Sequence, residues 1–323
     1  MKAIPVEINW HPGLSIYAAE PFLKMAGDDY GWLGGVDDSG ELRCILPYTI
    51  NHKASVRMVR FRDQTLALQE ELSIEDEKSF LSSVVQYFRF TGADIIIPAT
   101  ANAIFRTYPE GAVAAPYGTF FIDLRQPIEI LWSNLHSKHR NRIRNAVKNG
   151  IEIRSGREYT QIAYELIEHT LKRSKMGFTS HEEFKRLVSS LDTQVKIFVA
   201  CSQGAVQGCA VIPFSEHSAY YLYGGSIPDP TSGAMNLLHW EAISYFHGLK
   251  VRRYDFMGVR INPEKGSKQE GLMMFKERFG GRMDRGYMWK YPLRPLKAAI
   301  YSLGVRLLKG GDVVDAEHGK LET

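Results

Sequence analysis

One order of predicted segments occurs twice along this chain, and this repeat constrains the fold more than any other feature. In each half the hydrophobic pattern predicts a strand, a helix, a hairpin, a strand, a helix and a short strand. The two hairpins turn at Gly40 and Gly204, and the two short strands begin near Ala93 and Arg253. A chain of 323 residues is long enough for two domains. We therefore predict a tandem duplication of one α/β (α+β) unit, with mixed and largely antiparallel sheets.

The segment over residues 127–150 joins the two halves. Its apolar residues fall on helical spacing, and Gly150 suits a C-terminal cap. These apolar residues are Leu131, Leu135, Ile143 and Val147. We therefore predict one helix over residues 127–150. No Gly/Ser-rich or Pro-rich linker occurs, so the two halves are expected to pack directly on each other.

The predicted domain boundaries follow from this joining helix. Residues 1–126 form the first domain, and residues 127–291 form the second domain, which the helix opens. The remaining segment, 292–323, is compatible with packing back on the first domain. Within it, Pro292–Lys309 is a basic amphipathic stretch with Arg294, Lys297, Arg306 and Lys309. Two interpretations stay open for this stretch: docking at an anionic membrane surface, or packing on the first domain.

Composition excludes several classes of protein. Hydrophobic residues make up 44% of the chain and charged residues 24%, which is typical of a soluble globular protein. The net charge of +4 is too small for a dedicated nucleic-acid binder. The chain has an odd and sparse set of cysteines without metal-ligand spacing: Cys44, Cys201 and Cys209. Such a set argues against a disulfide framework and against a zinc site, so we expect a reducing compartment. No signal-like N-terminus and no membrane-spanning apolar run occurs, so we predict a cytoplasmic protein.

Positive charge is concentrated in the predicted joining helix. Between His136 and Lys148 this helix contains no acid and five cations: Lys138, Arg140, Arg142, Arg144 and Lys148. Like charges four residues apart destabilise a helix by roughly 0.2–0.5 kcal/mol per pair. A bound phosphate would offset this repulsion, so the helix is a candidate phosphate-binding surface. A solvated basic face without a ligand is the alternative.

A second group of candidate residues lies near the C-terminus. Phe275 and Phe279 share one face of a predicted helix, and Lys276 lies on its flank. Lys276 is therefore either a surface lysine or a cation at the edge of a pocket, where it would balance developing negative charge.

Two tyrosines and two glycines form a third candidate group. Tyr221 and Tyr223 belong to a predicted strand over residues 218–224, and Gly224 and Gly225 end that strand. Paired glycines permit either a closely bound ligand or a tight turn, and on spacing alone the tight turn is favoured.

Together these motifs resemble the FemAB/FemX-like family of peptidoglycan-bridge aminoacyltransferases. The segment Trp132–Ile153 is similar to the family's helix K-x-R-x-x-I-R-x-A-x-K-x-G, which opens its second domain. Four further elements follow in the family's order: Y-L-Y-G-G from Tyr221, W-E-A-I from Trp240, Y-D-F-x-G from Tyr254 and F-K-x-x-F-G-G from Phe275. The resemblance covers roughly residues 120–291. It implies two tandem GNAT-like (acyl-CoA N-acyltransferase-like) domains in the short form, which has no long helical arm.

The resemblance also implies an activity. It is the transfer of an amino acid from aminoacyl-tRNA to an amine of a peptidoglycan or other cell-envelope precursor. Phe275 and Lys276 would lie near the acceptor end of the tRNA, with Lys276 supporting the negative charge of the attacked ester. Asp255 and Tyr223 would orient or deprotonate the amine. The other implied substrate-binding residues are Lys138, Arg140, Arg142, Arg144, Tyr221 and Trp240.

The sequence defines the amine acceptor and the acyl donor of this reaction less well than the reaction itself. The first half matches no precursor-binding residues of the family, so another envelope polymer or a small amine stays open as acceptor. The coenzyme A-binding turn of acetyltransferases, R-x-x-G-x-G/A, occurs in neither half. The corresponding stretch between Gly224 and Gly233 carries two prolines, which lack the required N–H groups. We therefore predict no cofactor, with aminoacyl-tRNA favoured over acetyl-CoA as donor.

Two other classes of function stay open at this point. The first is an acyl-CoA-dependent N-acyltransferase that acts on a nucleotide-linked sugar, a polysaccharide precursor or a small amine. The second is a non-catalytic RNA-binding or scaffold protein. For the favoured activity, we expect a cytoplasmic protein that can contact the inner face of the membrane.

Overall fold

The computed structural model of the chain describes residues 1–53, 55–98, 102–309 and 311–318. The strands are β1 (Lys2–Val6), β2 (Asp29–Val36), β3 (Leu42–Lys53), β4 (Val56–Phe61), β5 (Leu66–Ala67), β6 (Ile95–Pro98), β7 (Val113–Asp123), β8 (Glu152–Ser155), β9 (Val195–Ser202), β10 (Ala205–Pro213), β11 (Ala219–Tyr220), β12 (Tyr223–Ser226), β13 (Arg253–Val259) and β14 (Arg282–Pro292). The helices are α1 (Glu20–Ala26), α2 (Ile74–Phe90), α3 (Ile128–Asn134), α4 (Ser137–Lys148), α5 (Thr160–Arg173), α6 (His181–Leu191), α7 (Ala234–Gly248), α8 (Lys268–Glu277), α9 (Pro295–Lys309) and α10 (Val313–His318).

The strands form two sheets of unequal size. Nine strands of the larger sheet follow the order β1-β2-β3-β4-β6-β14-β7-β13-β11, and β5 pairs with β3 as its tenth strand. The smaller sheet has the order β12-β10-β9-β8. Among the described strands, β4 and β6 are parallel neighbours, as are β11 and β13, while the remaining pairs are antiparallel. The predicted α/β fold with mixed, largely antiparallel sheets is confirmed.

The larger sheet runs through both halves of the chain, which differs from the expected packing of two halves with their own sheets. β7 belongs to the first half, yet it lies between β14 and β13 of the second half. β14 in turn pairs with β6 through Tyr291 and Pro292. The predicted boundary between residues 126 and 127 therefore separates strands that are hydrogen-bonded to each other. Hydrophobic periodicity predicts where strands lie but not which strands pair. The sequence therefore could not show that β7 and β14 pair with strands of the other half.

Two predicted elements are each divided in the structure. The predicted helix over residues 127–150 is wrong as one element, because Leu135 has extended φ and ψ angles of −58° and 136° between α3 and α4. Helical spacing continues across this break since Leu131, Leu135 and Ile143 enter the same core. The predicted strand over residues 218–224 is divided as well. β11 pairs in the larger sheet, whereas β12 pairs in the smaller one.

Residues from both halves form a common core where the halves meet. Tyr17 and Leu23 of the first half pack with Ile167, Phe184 and Val199 of the second half, and all five side chains are fully buried or nearly so. Burying a large apolar side chain contributes roughly 1.5–3 kcal/mol. A buried apolar core shared by both halves fixes their relative position, as the absence of a flexible linker predicts.

The C-terminal helices lie on the first half. On α9, Ala298 packs in a small cluster with Val56 and Ile95, and Lys297 donates to the carboxylate of Asp94 at 3.2 Å. On α10, Val314 is fully buried. The side chains of residues 308 and 309, together with residues 310 and 319–323 of the predicted C-terminal segment, lie outside the described part of the chain.

Candidate active site

A β-bulge in β13 is the centre of the candidate site. The pairing of β13 with β7 shifts register between Asp255 and Gly258, and Met257 within the bulge has a φ of 61°. Positive φ is uncommon for a residue other than glycine, and such strain is often found at functional sites. The bulge turns the carbonyl groups of Met257 and Gly258 towards α8, where both accept hydrogen bonds from one side chain.

Asp255 stabilises this bulge through both oxygens of its carboxylate. Oδ1 accepts from the backbone N–H of Met257 at 2.7 Å and from the Thr119 hydroxyl at 2.5 Å. Oδ2 accepts from Arg253 at 2.7 Å. Only 3% of Asp255 is exposed. This carboxylate is therefore fully used in holding the bulge, which suits a positioning role better than proton abstraction from an amine.

Lys276 approaches the same bulge from α8. Its Nζ donates to the carbonyl groups of Met257 and Gly258, both at 2.9 Å. Burial lowers the pKa of Lys276 to about 8, and the nearby Asp255 carboxylate opposes that shift. The ammonium group is therefore directed into the protein, towards the bulge, and not out into solvent.

Phe275 packs against two buried histidines. Its ring centroid lies 5.4 Å from that of His139 on α4 and 5.6 Å from that of His239 on α7. Nδ1 of His239 lies 2.9 Å from the Tyr254 hydroxyl. Within the described residues, Nε2 of His239 and both ring nitrogens of His139 have no hydrogen-bond partner. Burial lowers the pKa of His139 to about 4 and that of His239 to about 3, so both rings are neutral.

The two candidate tyrosines lie in different surroundings. Tyr221 is edge-on to His239 at 4.4 Å, and its hydroxyl fills the space that a Cβ at Gly224 would need. Tyr223 packs edge-on against Phe178 at 5.1 Å, on the side of α5 and α6. Burial raises the pKa of both tyrosines. Tyr223 is therefore a hydrogen-bond donor at neutral pH and not a proton acceptor.

The cations of α4 divide into two groups. The guanidinium of Arg140 donates to the carbonyl groups of Ser133 (2.8 Å) and Leu135, which closes the C-terminal end of α3. Four others are exposed to solvent instead: Lys138, Arg142, Arg144 and Lys148. Arg140 thus has a structural partner, and the other four remain able to contact a ligand.

Two tryptophans accompany the exposed cations of α4. The Arg144 guanidinium lies 5.6 Å from the ring of Trp132, which packs edge-on against Trp240 at 4.9 Å. Both tryptophans are partly exposed. We call Lys138, Arg142, Arg144, Trp132 and Trp240 the basic aromatic surface. Cations interleaved with aromatic rings are typical of surfaces that bind single-stranded nucleic acid.

A cavity of about 580 Å³ lies where the two halves meet. Ser15 and Asp63 of the first half line it, together with Tyr220 and Asp255 of the second half. We call it the inter-half cavity. Asp255 interacts electrostatically with Asp63 on the cavity side and with Lys276 on the α8 side. The bulge therefore connects the cavity with the predicted cation.

The sequence motifs identified the residues on the α8 side of the bulge but not those that line the inter-half cavity. Lys276, Asp255, Phe275 and Tyr221 are brought together around the bulge. Trp132 and Trp240 of the basic aromatic surface pack on the same core as Phe275 and Tyr221, whereas Tyr223 packs on another. Asp63 follows β4 in a loop that matches no motif, so no signal in the sequence singled it out. The two histidines of α4 differ in their surroundings: His136 is exposed at the start of the helix, while His139 is buried.

Comparisons with known proteins identify the class of fold to which this chain is similar. The acetyltransferase (GNAT) domain family matches residues 134–269, which include α4 to α7 and the bulge. The crystal structure of FemX superposes with a TM-score of 0.68 at 14% identity, over 93% of this chain and 100% of that chain. A tandem GNAT protein from the clavulanic acid biosynthesis pathway gives a TM-score of 0.51 at 14% identity, over 85% of this chain and 87% of that chain. The fold is therefore that of tandem GNAT proteins.

Two curated relatives confirm the predicted FemAB/FemX-like resemblance. The chain is 25% identical over 155 residues to the UDP-N-acetylmuramoylpentapeptide-lysine N(6)-alanyltransferase of Weissella viridescens, covering 47% of this chain and 45% of that protein. It is 26% identical over 125 residues to the lipid II:glycine glycyltransferase of Staphylococcus haemolyticus (strain JCSC1435), covering 38% of this chain and 30% of that protein. The matched regions thus span less than half the length of either relative.

Proposed function

We propose that this protein is an aminoacyltransferase that moves an amino acid from aminoacyl-tRNA to an amine of a peptidoglycan or other cell-envelope precursor. The observation that carries the proposal is the Lys276 ammonium held at the β13 bulge, whose Asp255 lines the cavity between the two halves. The names of the two curated relatives, both transferases that act on such precursors, support it.

The chemistry needed is aminolysis of an ester. A neutral amine attacks the ester carbonyl, the C–N bond forms, and negative charge develops on the carbonyl oxygen before the ribose hydroxyl leaves. Lys276 supplies positive charge near that oxygen, and Asp255 fixes the bulge on which Lys276 rests. An aminoacyl ester is already activated, so the protein contributes mainly position and charge. Phe275 and Tyr221 shape an apolar wall that keeps water from the ester.

The basic aromatic surface is the proposed contact for the tRNA. Its exposed cations can meet phosphates, and its tryptophans offer stacking faces for unpaired bases. A pyrophosphate from coenzyme A is less compatible with the same region. A Cβ at Gly233 would collide with the Arg142 carbonyl, so the start of α7 lies directly against α4. This close packing supports aminoacyl-tRNA over acetyl-CoA as donor.

The experiment that tests the proposal is a direct transfer assay. The full chain is incubated with bulk charged tRNA and either UDP-N-acetylmuramoylpentapeptide or lipid II, and products are identified by mass spectrometry. The expected result is a precursor heavier by one amino acid residue. A matched reaction receives acetyl-CoA in place of tRNA. Acetylation there, with no transfer from tRNA, would replace this proposal with the acyl-CoA-dependent alternative.

We also propose that α9 contacts an anionic membrane surface. One row of apolar side chains points away from the protein: Leu296 (80% exposed), Ile300 (67%), Leu303 (58%) and Leu307 (78%). Lys297 pairs with Asp94, which leaves the exposed Arg306 beside this row, and the helix contains no acid. An exposed apolar row that is accompanied by a cation and by no acid complements an anionic bilayer. No helix in the described residues is long and apolar enough to cross a membrane.

Liposome flotation tests this contact. The full chain should float with vesicles that contain phosphatidylglycerol, and the variant Ile300→Gln/Leu303→Gln should lose most of that binding. Met176→Gln is the control, because Met176 is similarly exposed (58%) and lies away from α9. Equal flotation of all three proteins, or flotation of none, would contradict the proposal.

A further inference from the structure

Helix α8, which carries Lys276, is held loosely along most of its length. None of the residues Lys268–Glu277 is buried as a whole, although the ammonium group of Lys276 is turned into the protein. Met273 and Phe275 are partly buried against a core that includes α7. Elements with few buried contacts move at a low cost in free energy. The placement of Lys276 therefore depends on what holds the C-terminal end of α8.

The end of α8 is tied to the junction between α3 and α4. The backbone N–H of His136, at the start of α4, donates to the carbonyl group of Arg278 at 2.9 Å. Gly280 has a φ of 78°, and a Cβ there would lie 2.6 Å from the carbonyl oxygen of Asn134 at the end of α3. Only glycine permits this conformation and this close approach. A shift of the start of α4 is therefore transmitted to the end of α8.

The side chain of His139 is a second tie between α4 and α8. Its ring centroid lies 5.4 Å from that of Phe275 and 4.6 Å from that of Phe279. Only 1% of His139 is exposed, and both of its ring nitrogens lack a hydrogen-bond partner among the described residues. Packing of the ring, and not hydrogen bonding, thus joins α4 to the residue that directly precedes Lys276.

The exposed cations of α4 lie close to this buried ring. Arg142 follows His139 by three positions, and residues three positions apart are neighbours on a helix. Burial lowers the pKa of His139, and the charges of Arg142 and Arg278 add to this effect. The ring of His139 therefore lies between a proposed phosphate contact and the aromatic pair at the end of α8.

We propose that His139 is a positioning residue that couples the binding of RNA on α4 to the placement of Lys276 at the bulge. This inference rests on the proposed function and adds to it how the bound donor prepares the site. A phosphate that engages Arg142 and Arg144 restrains α4 in one position. His139 passes this restraint to Phe275, and ordering a loosely held helix favours its active position. The site is thus completed by the body of the donor and not by its ester alone.

The first test needs no transfer. Hydrogen exchange of the backbone amides is followed by mass spectrometry in the full chain, with and without a single-stranded RNA oligonucleotide. We expect the RNA to slow exchange about tenfold in α8 as well as in α4, because binding orders both helices. In His139→Ala the exchange of α8 should no longer respond, whereas His139→Phe keeps the ring and should keep the response. Protection of α4 alone or of neither helix in the wild type, or an unchanged response in His139→Ala, would overturn the inference.

The second test compares two donors in the transfer assay. One donor is charged tRNA, and the other is its short aminoacylated 3′-terminal fragment, which carries the same ester without the body of the tRNA. His139→Ala should lower kcat with charged tRNA about tenfold more than it lowers kcat with the fragment, which is within the usual range of coupling between sites. His139→Phe should keep the wild-type ratio of kcat between the two donors. An equal loss with both donors in His139→Ala would show a packing role only and would overturn the inference.

Val188→Ala is the matched control for lost packing, since Val188 on α6 is 5% exposed and belongs to another core. It should lower the melting temperature without changing the ratio of kcat between the two donors. If α8 responds to RNA but charged tRNA supports no transfer, the proposed function fails and the coupling stands. If charged tRNA supports transfer but α8 does not respond to RNA, the proposed function stands and the coupling fails.

Discussion

Lys276 is the residue on which the proposed chemistry depends most, because it is the cation held at the bulge. Replacement by Met keeps the length of the side chain and removes the charge. We expect Lys276→Met to lower turnover about a hundredfold or more, the scale seen when one group that stabilises an oxyanion is lost. Lys265→Met, an exposed position before α8, is the control and should keep full activity. A folded Lys276→Met variant with full transfer activity would remove Lys276 from the site.

The dependence of transfer on pH should report Lys276. Lys276 must be charged, which requires a pH below its lowered pKa of about 8. We therefore expect kcat to fall as the pH rises through about 8. Lys276→Met should remove this basic limb, whereas a wild-type kcat that stays constant from pH 7 to pH 9 would contradict the assignment.

His139 and His239 should make the protein sensitive to acid. Their pKa values are lowered in the folded state, so below pH 6.5 the unfolded chain binds more protons than the folded one. The stability that comes from their neutral form is present above pH 6.5 and is lost as the pH falls towards 4, by roughly 1.4 kcal/mol per pH unit and residue. His139→Phe should reduce this loss in a series of melting temperatures from pH 7 to pH 4.5. The same acid slope in the variant would show that other groups cause it.

At the scale of elements, α4 combines a structural cation with four exposed ones. We expect Arg142→Gln/Arg144→Gln to weaken tRNA binding and to reduce the slope of log K against log salt by roughly 0.7–0.9 per lost phosphate contact. The exposed Lys172→Gln on α5 is the control. Arg140→Gln should instead lower the melting temperature, because the carbonyl groups that end α3 lose their donor. An unchanged salt slope in the double variant would leave α4 as a solvated face.

The division of the predicted strand into β11 and β12 shows why local patterns were insufficient at this scale. Both segments are apolar and extended, as the sequence predicts. The separation between them arises because β11 pairs with β13 and β12 pairs with β10, partners that lie in different sheets. The same applies to the joining helix, whose break at Leu135 keeps its apolar side chains in one core.

At the scale of the whole molecule, the pairing of strands from different halves and the core that both halves share should make unfolding cooperative. β7 and β14 pair across the predicted domain boundary, and Tyr17 of the first half is buried among residues of the second. We expect one calorimetric transition with equal calorimetric and van't Hoff enthalpies. Residues 1–126 expressed alone should remain unfolded, since they lack β14 beside β6. Two separate transitions, or a folded fragment 1–126, would show that the halves are independent.

The sequence by itself determined the repeated order of elements, the positions of most helices and strands, the basic character of α4 and the motif that contains Phe275 and Lys276. These features depend on contacts between residues close in the chain, which periodicity and composition record. Only the tertiary structure decided that β7 and β14 cross between the halves, that Asp255 is occupied by three donors, and that Asp63 faces a cavity. Each of these includes at least one contact between residues more than a hundred positions apart, such as Thr119 with Asp255 or Ser15 with Tyr220. Burial sets the pKa of Asp63 and Lys276, and burial is a property of the packed molecule that no local pattern contains.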